Sequence, residues 1–217
     1  MEQCSSTNRD ASWVRDGDDD RTLEENWLFR LRRERYRSRA SGQSHDFYVV
    51  HLADAVNVVA LTQDRRLILV EQFRAGSGRD SLETPGGLLE PGEDPRDAGA
   101  RELREETGYT GDPAVVLGTS WANSSILSSR ITTILITNAV PNTEAMLDVG
   151  EEVRVKRVPA SKVPALIRSG QIDHALAVQG LLLWMVSELP DHALSLAPSR
   201  GKYQIRIASF MVFTAVC

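Results

Sequence analysis

Cysteine is nearly missing from this chain: there are two, Cys4 and Cys217, one near each extremity of 217 residues. Thiols so placed supply neither a disulfide framework nor a cysteine-based metal site, and a reducing compartment, the cytoplasm, is the simplest expectation. Long apolar runs are missing as well. No stretch is long enough to span a bilayer, and no apolar core follows Met1, so neither a membrane anchor nor a signal peptide is expected. Aromatic residues make up only 6%, and the net charge is only -5, from 30 acidic against 25 basic side chains. That balance weighs against nucleic acid or an anionic membrane as the primary partner. What is present, 41% hydrophobic and 25% charged residues, is globular usage with enough apolar matter for one sizeable core.

Residues 1–25 are polar and acidic, include Asp18-Asp19-Asp20 and have little to bury, which reads as a disordered leader. Over 26–53 two strand-like runs, FRLRRERYRSR and HDFYVVHL, flank the turn-forming ASGQS, the pattern of an N-terminal β-hairpin subdomain. Its arginines, Arg30, Arg32, Arg33, Arg35, Arg37 and Arg39, read as an exposed edge strand that resists aggregation, with a nucleic-acid patch as the alternative. The main domain then occupies 54–189. Strands are expected at 55–61 and 66–73 around a Gln63-Asp64-Arg65 turn, and again at 114–118, 131–137 and 152–158. A polar loop from Ser120 to Arg130 faces substrate, with Trp121 either stacking on a base or sugar or filling core space. Ser161 is placed to cap a short helix ending at Arg168, and Asp173 a longer one reaching about Glu188. His174, beside that second helix start, reads as structural. Residues 190–217, ending in IASFMVFTAVC, form an extension with no assigned role.

The most informative segment runs from Gly87 to Tyr109, GLLEPGEDPRDAGARELREETGY. Asp94 can cap a helix, Pro95 suits its first position and Gly108 permits a left-handed stop, so a helix is expected over 95–107. With Arg101 at zero and one hundred degrees per residue, Glu105, Glu102 and Glu106 fall at about 40°, 100° and 140°. Ala100, Leu103 and Thr107 fall on the opposite, packing side. Three carboxylates on one stripe repel each other at three- and four-residue spacing. A divalent cation with a preference for hard oxygen donors compensates, and the glycine-rich TPGG and EPGE turns before the helix let backbone approach it closely.

Gly87, five residues, Glu93, seven residues, Arg101-Glu102-Leu103, one residue, Glu105-Glu106, one residue and Gly108 together resemble the complete Nudix box, with Tyr109 aromatic where an aliphatic is commoner. Glu71-Gln72-Phe73-Arg74 followed by Leu82-Glu83-Thr84-Pro85-Gly86-Gly87 is similar to the ADP-ribose pyrophosphatase branch of that superfamily. The resemblance implies an α/β fold, the Nudix-type α/β/α sandwich with a mixed curved sheet and a small N-terminal antiparallel sheet. It implies Mg²⁺, with Mn²⁺ as a substitute, held by Glu102, Glu105, Glu106 and the Gly86 carbonyl. Glu102 and Glu105 then act in catalysis, Arg101 orients them by pairing with Glu93 or Glu105, and Arg74 clamps the diphosphate.

The activity so implied is hydrolysis of a nucleoside diphosphate linked to another moiety, ADP-ribose or a related nucleotide sugar, giving a nucleoside monophosphate and a sugar phosphate. The partner is then a small molecule, with no nucleic acid and no membrane, and the protein a homodimer. The branch supplies a loop glutamate where Val149 stands, so Glu151 and then Asp148 are the candidate replacements, with Glu144 also in reach. A branch proline is replaced at Ser124 or Ser125, and a histidine of related bacterial hydrolases at Thr132 or Thr133, which loosens the substrate assignment. Two other readings stand beside this one: a Nudix-fold sensor that binds a nucleotide without turnover, and an RNA-directed protein such as a cap hydrolase.

Overall fold

The computed structural model describes residues 11–147 and 152–189. Asp148, Val149 and Glu151 lie outside the described residues, as do residues 1–10 and the 190–217 extension.

The first of two main sheets is antiparallel and is built around β3 (Arg30–Ser38). Strands β1 (Trp13–Arg15) and β2 (Arg21–Glu25) pair with successive parts of β3, and β4 (Ser44–His51) pairs with it along most of its length. Two expectations change here. Residues 13–25, read as part of a disordered leader, supply two strands, and the arginine run lies on the central strand rather than an edge. The reason is charge pairing across long sequence separations. Asp19 meets Arg33 and Arg35, Asp20 meets Arg15 and Arg32 and accepts the Arg35 backbone N–H at 2.9 Å, and Asp46 meets Arg33 and Arg35. Glu34, 2% exposed, accepts from Arg15 at 3.0 Å and from the Tyr36 hydroxyl at 3.1 Å, and lies 2.8 Å from His51 Nε2. Phe47 adds edge-to-face contacts with Trp13 and Tyr36, centroids 5.5 and 5.4 Å apart.

The second sheet runs β12 (Val153–Pro159), β6 (Arg66–Arg74), β5 (Ala55–Leu61), β10 (Arg130–Ile136), β9 (Val115–Trp121), with β7 (Arg79–Glu83) also on β6. Among the described strands of this sheet only β5 and β10 are parallel, so the sheet is mixed. Both faces are covered, and the apolar, β-branched run of β5 follows from that. Val56, Val58 and Ala60 point to one layer with Ala98 and Leu103 of α1 (Pro95–Thr107). Val59 and Leu61 point to the other, with Val163 of α2 (Val163–Arg168) and Ala177, Leu181 and Trp184 of α3 (Ala175–Ser187). A short pair, β8 (Tyr109–Thr110) with β11 (Val140–Pro141), completes the described elements together with one 3-10 turn at Ala160–Lys162. This is the α/β sandwich expected. Ser161 makes no cap for α2, and the Asp173 side chain pairs with Arg79. Among the described residues no helix is long and apolar enough to cross a membrane.

Candidate active site

Helix α1 carries the site and is fixed at both ends. Asp94 accepts the Arg96 N–H at 2.8 Å, Pro95 opens the helix, and Gly108 closes it at φ 72° with its N–H on the Arg104 carbonyl. The packed face comprises Ala98, Gly99, Leu103, Glu106 and Thr107, while Ala100, expected there, is exposed. The sheet comes so close at Gly99 that a Cβ there would meet Ile134 Cγ1 at 2.9 Å, and Ala100 lies outside the buried arc. Glu106 thus lies within the buried arc, and Glu102 and Glu105 are half-buried beside it rather than on the solvated back of the helix.

Glu106 is 5% exposed and accepts the Gly86 N–H on Oε2 at 2.9 Å. Gly86 in turn lies against β5, where a Cβ would collide with the Val56 carbonyl, and a Cβ on Gly87 would collide with the Glu102 carboxylate. At position 86 only glycine lets the loop pass against the strand backbone, whereas at 87 a Cβ would displace the movable Glu102 carboxylate. The carbonyls on either side of Gly86 are spent on the strand: Pro85 accepts from Val58 at 2.7 Å and Gly87 from Val56 at 2.9 Å. The Gly86 carbonyl accepts no backbone N–H among the described residues.

Arg101 is the hub. It binds Glu93 bidentately at 2.9 and 2.9 Å, places Nη1 2.8 Å from Glu102 Oε1 and 3.1 Å from Glu105 Oε2, and reaches the Leu88 carbonyl at 3.2 Å. Glu93 is itself tied to its loop by the Glu90 N–H at 2.9 Å. These hydrogen bonds, those donated to Glu93 foremost, raise the Arg101 pKa further above its ordinary value, against the opposing effect of burial. The same bonds lower that of Glu93. One guanidinium therefore joins the glycine loop to two of the three stripe glutamates.

Three carboxylates and an uncommitted carbonyl are the donors a hard divalent cation takes. Glu102 and Glu105 are turned onto Arg101 and Glu106 onto the Gly86 N–H, and among the described residues no three acidic, histidine or cysteine side chains are gathered around one point as ligands. The donor chemistry fits such an ion, and Arg101 holds the carboxylates together as a counter-charge.

Arg74 closes β6 at a cleft of about 370 Å³ that also contains Gly86 and Gly87. Its fork is held bidentately by Glu83, at 3.0 and 2.8 Å, and Glu83, 2% exposed, also lies 3.2 Å from His174 Nδ1. Glu83, His174 and Asn57 of β5 were not singled out by sequence as lining this cleft. The available signals were an acidic residue three before Gly86 and one amide inside the apolar run Ala55–Leu61. Trp121 stands apart at the end of β9, 56% exposed, with the Arg130 guanidinium 5.8 Å above its ring, so it does not fill core space. Glu144 is exposed in a loop that returns to the end of α1, where Met146 N–H meets the Glu105 carbonyl at 2.8 Å.

The NUDIX domain model matches residues 51–177. The chain is 32% identical over 148 residues to the ADP-ribose pyrophosphatase of Bacillus subtilis, covering 66% of this chain and 80% of that protein. It is 44% identical over 69 residues to the methanol dehydrogenase activator of Bacillus methanolicus, a match covering 32% of this chain and 37% of that one. A crystal structure of an ADP compounds hydrolase superposes with a TM-score of 0.71 at 21% identity, over 82% of this chain and 94% of the other.

Proposed function

Because the chain belongs to the Nudix family, whose box it carries across the glycine loop and α1, we propose that it is a pyrophosphohydrolase that cleaves a nucleoside diphosphate joined to a sugar, with ADP-ribose or a close relative as substrate. The observation that supports this reading is the buried Glu106 on the Gly86 N–H and the Glu102 carboxylate against Gly87, with Arg101 joining Glu102 to Glu105 and Arg74 in the adjoining cleft. Glu102, Glu105, Glu106 and the Gly86 carbonyl would hold Mg²⁺ or Mn²⁺. Bound there, the ion supplies charge neutralisation of the diphosphate, a more acidic water and stabilisation of the leaving phosphate.

The chain's own residues set the geometry. Glu106 fixes the Gly86 peptide, and Arg101 keeps Glu102 and Glu105 within reach of one another. Glu83 locks the plane of Arg74, whose guanidinium suits paired contacts with phosphate oxygens. The proton acceptor for the attacking water is assigned to the 142–152 loop, to Glu151 first and Asp148 second. A homodimer in the cytoplasm, without nucleic acid as partner, completes the reading.

The test compares the wild-type protein with Glu106→Gln on ADP-ribose, other nucleotide sugars, dinucleoside polyphosphates and capped RNA, with and without Mg²⁺. Cleavage of a nucleotide sugar that needs both the metal and Glu106 is the expected result. Tight binding of ADP-ribose with no cleavage of any member would make the protein a nucleotide sensor, and cleavage of capped RNA alone would make it RNA-directed.

A further inference from the structure

Strands β6 and β7 register Arg74 against Arg79 and Gln72 against Ser81. Directly paired residues of an antiparallel ladder share a face, as do residues two apart on one strand, so Arg74, Arg79 and Ser81 point to the same side of the hairpin. The start of α3 is tied over that side at two points: the Asp173 carboxylate pairs with Arg79, and His174 Nδ1 lies 3.2 Å from Glu83, which holds Arg74. Between them lies a cavity of about 420 Å³, lined by Arg74, Arg79, Ser81, Asp173, His174 and the turn over residues 75–77. Arg74 and His174 also line the cleft that contains Gly86 and Gly87, so the two spaces adjoin at those side chains.

The lining decides what the cavity can hold. Each guanidinium already faces a carboxylate, Arg74 that of Glu83 and Arg79 that of Asp173, so no excess of positive charge is left to draw another phosphate. No tryptophan, tyrosine or phenylalanine lines it among the described residues, so a nucleobase finds no such ring to stack on. Hydrogen-bonding groups of both kinds stand side by side instead: guanidinium donors, a carboxylate acceptor and the Ser81 hydroxyl, which does both. Ser81 is 5% exposed, yet it lines the cavity, and its hydroxyl makes no hydrogen bond among the described residues. The Arg79 and Asp173 side chains are 54% and 39% exposed, so their remaining hydrogen-bonding capacity is open to a ligand.

Neighbouring hydroxyls, each a donor and an acceptor, match that mixture. We infer that the cavity is the subsite for the sugar joined to the diphosphate, with Asp173 accepting from one hydroxyl and Ser81 and Arg79 meeting the next. This rests on the hydrolase reading above: a diphosphate clamped by Arg74 and lying toward Gly86 leaves its sugar end to pass Arg74 and His174 into the cavity. A site built to hydrogen-bond hydroxyls rejects an analogue that lacks them, because its polar groups then stay unpaired.

The experiment compares ADP-ribose with ADP bearing a propyl chain in place of the sugar, by calorimetric Kd without metal and by kcat/KM with Mg²⁺. The wild-type protein is expected to prefer ADP-ribose by about 10- to 100-fold, one to two decades being what recognised hydroxyls confer. Ser81→Ala is expected to shrink that preference by about 3- to 10-fold, and Asp173→Ala to bring it within about threefold of none. Arg154→Ala, which breaks an ion pair to Asp80 of the same β7 strand outside the cavity, retains it and controls for loosening of the hairpin. A preference absent from the wild-type protein, unchanged in either cavity variant, or lost equally in Arg154→Ala overturns the proposal. Absence of cleavage with the Kd preference intact would overturn the hydrolase reading alone, because the metal-free Kd ratio reads the discrimination without a bond being broken.

Discussion

In the N-terminal sheet, Arg15, Arg32, Arg33 and Arg35 meet Asp19, Asp20 and Asp46 between strands, whereas in the larger sheet Val58, Val59, Leu67, Ile68, Leu69 and Ile134 fill the space between layers with no exposure at all. The first is held by interactions that water, salt and protons all weaken; the second by burial that none of them reaches. The carboxylate helix stands on the second kind of support. The strands that precede it in the chain depend on the first.

Removing support from the hard half gives the largest expected effect. Leu103→Ala, a wholly buried position under α1, is expected to cost about 2–5 kcal/mol in a urea titration. A loss below about 0.5 kcal/mol, ordinary for a surface site, would break the comparison. Glu102→Gln is expected to lower kcat by about 10²–10³-fold if the proposed ligand set holds the ion, since several kcal/mol of charge stabilisation would depend on it. Its melting temperature should stay close to that of the parent. Arg101→Lys keeps the charge but not the fork that reaches Glu93, Glu102 and Glu105 together, and a fall of about 10- to 100-fold is expected. Activity equal to wild type would show that charge alone suffices.

Acid separates the halves more gently. Burial acts to raise the Asp20 pKa, but the Arg35 N–H and the Arg15 side chain outweigh it, and the net shift is downward. Asp46 is lowered by its hydrogen bond from Arg35. Because the folded values lie below the unfolded ones, this stabilisation is complete above the ordinary carboxylate range near about pH 4 and is lost as pH falls through the lowered values. Hydrogen exchange should therefore quicken in β3 and β4 below about pH 4 before it does in β5 and β10. Simultaneous opening of both sheets would remove the distinction. The smallest effect is that of salt: 1 M NaCl should speed exchange in β3 and leave β5 unchanged.

The same division decides what could be read in advance. Helix 95–107 was legible because its cap, its first proline and its terminal glycine all act within a few residues, and β5 because its β-branched residues are buried on both faces. Strands β1 and β2 were not, since Asp19 finds Arg33 and Arg35, and Asp20 finds Arg32 and the Arg35 N–H, twelve or more residues away, and a run of three aspartates looks solvated until those partners are known. Ala100 lies off the packed face, which meets the sheet at Gly99, a residue with no side chain to mark it in a hydrophobic pattern. The roles of Glu83, His174 and Asn57 depend on topology, which brings the start of α3 against the ends of β6 and β7 and the middle of β5, an arrangement no local pattern contains.

At the end of β4, Val50 donates to the Ile126 carbonyl at 2.8 Å and accepts from Ser128 at 3.1 Å, while Asp54 accepts the Arg130 N–H at 2.7 Å. The loop between β9 and β10 is thus clipped to the segment leading out of the N-terminal sheet, and its conformation is inherited from residues that never touch the box helix. Two apprenticeships run along one chain: substitutions over 13–54 can retrain what the 122–130 loop presents, and the glutamates of α1 keep their trade.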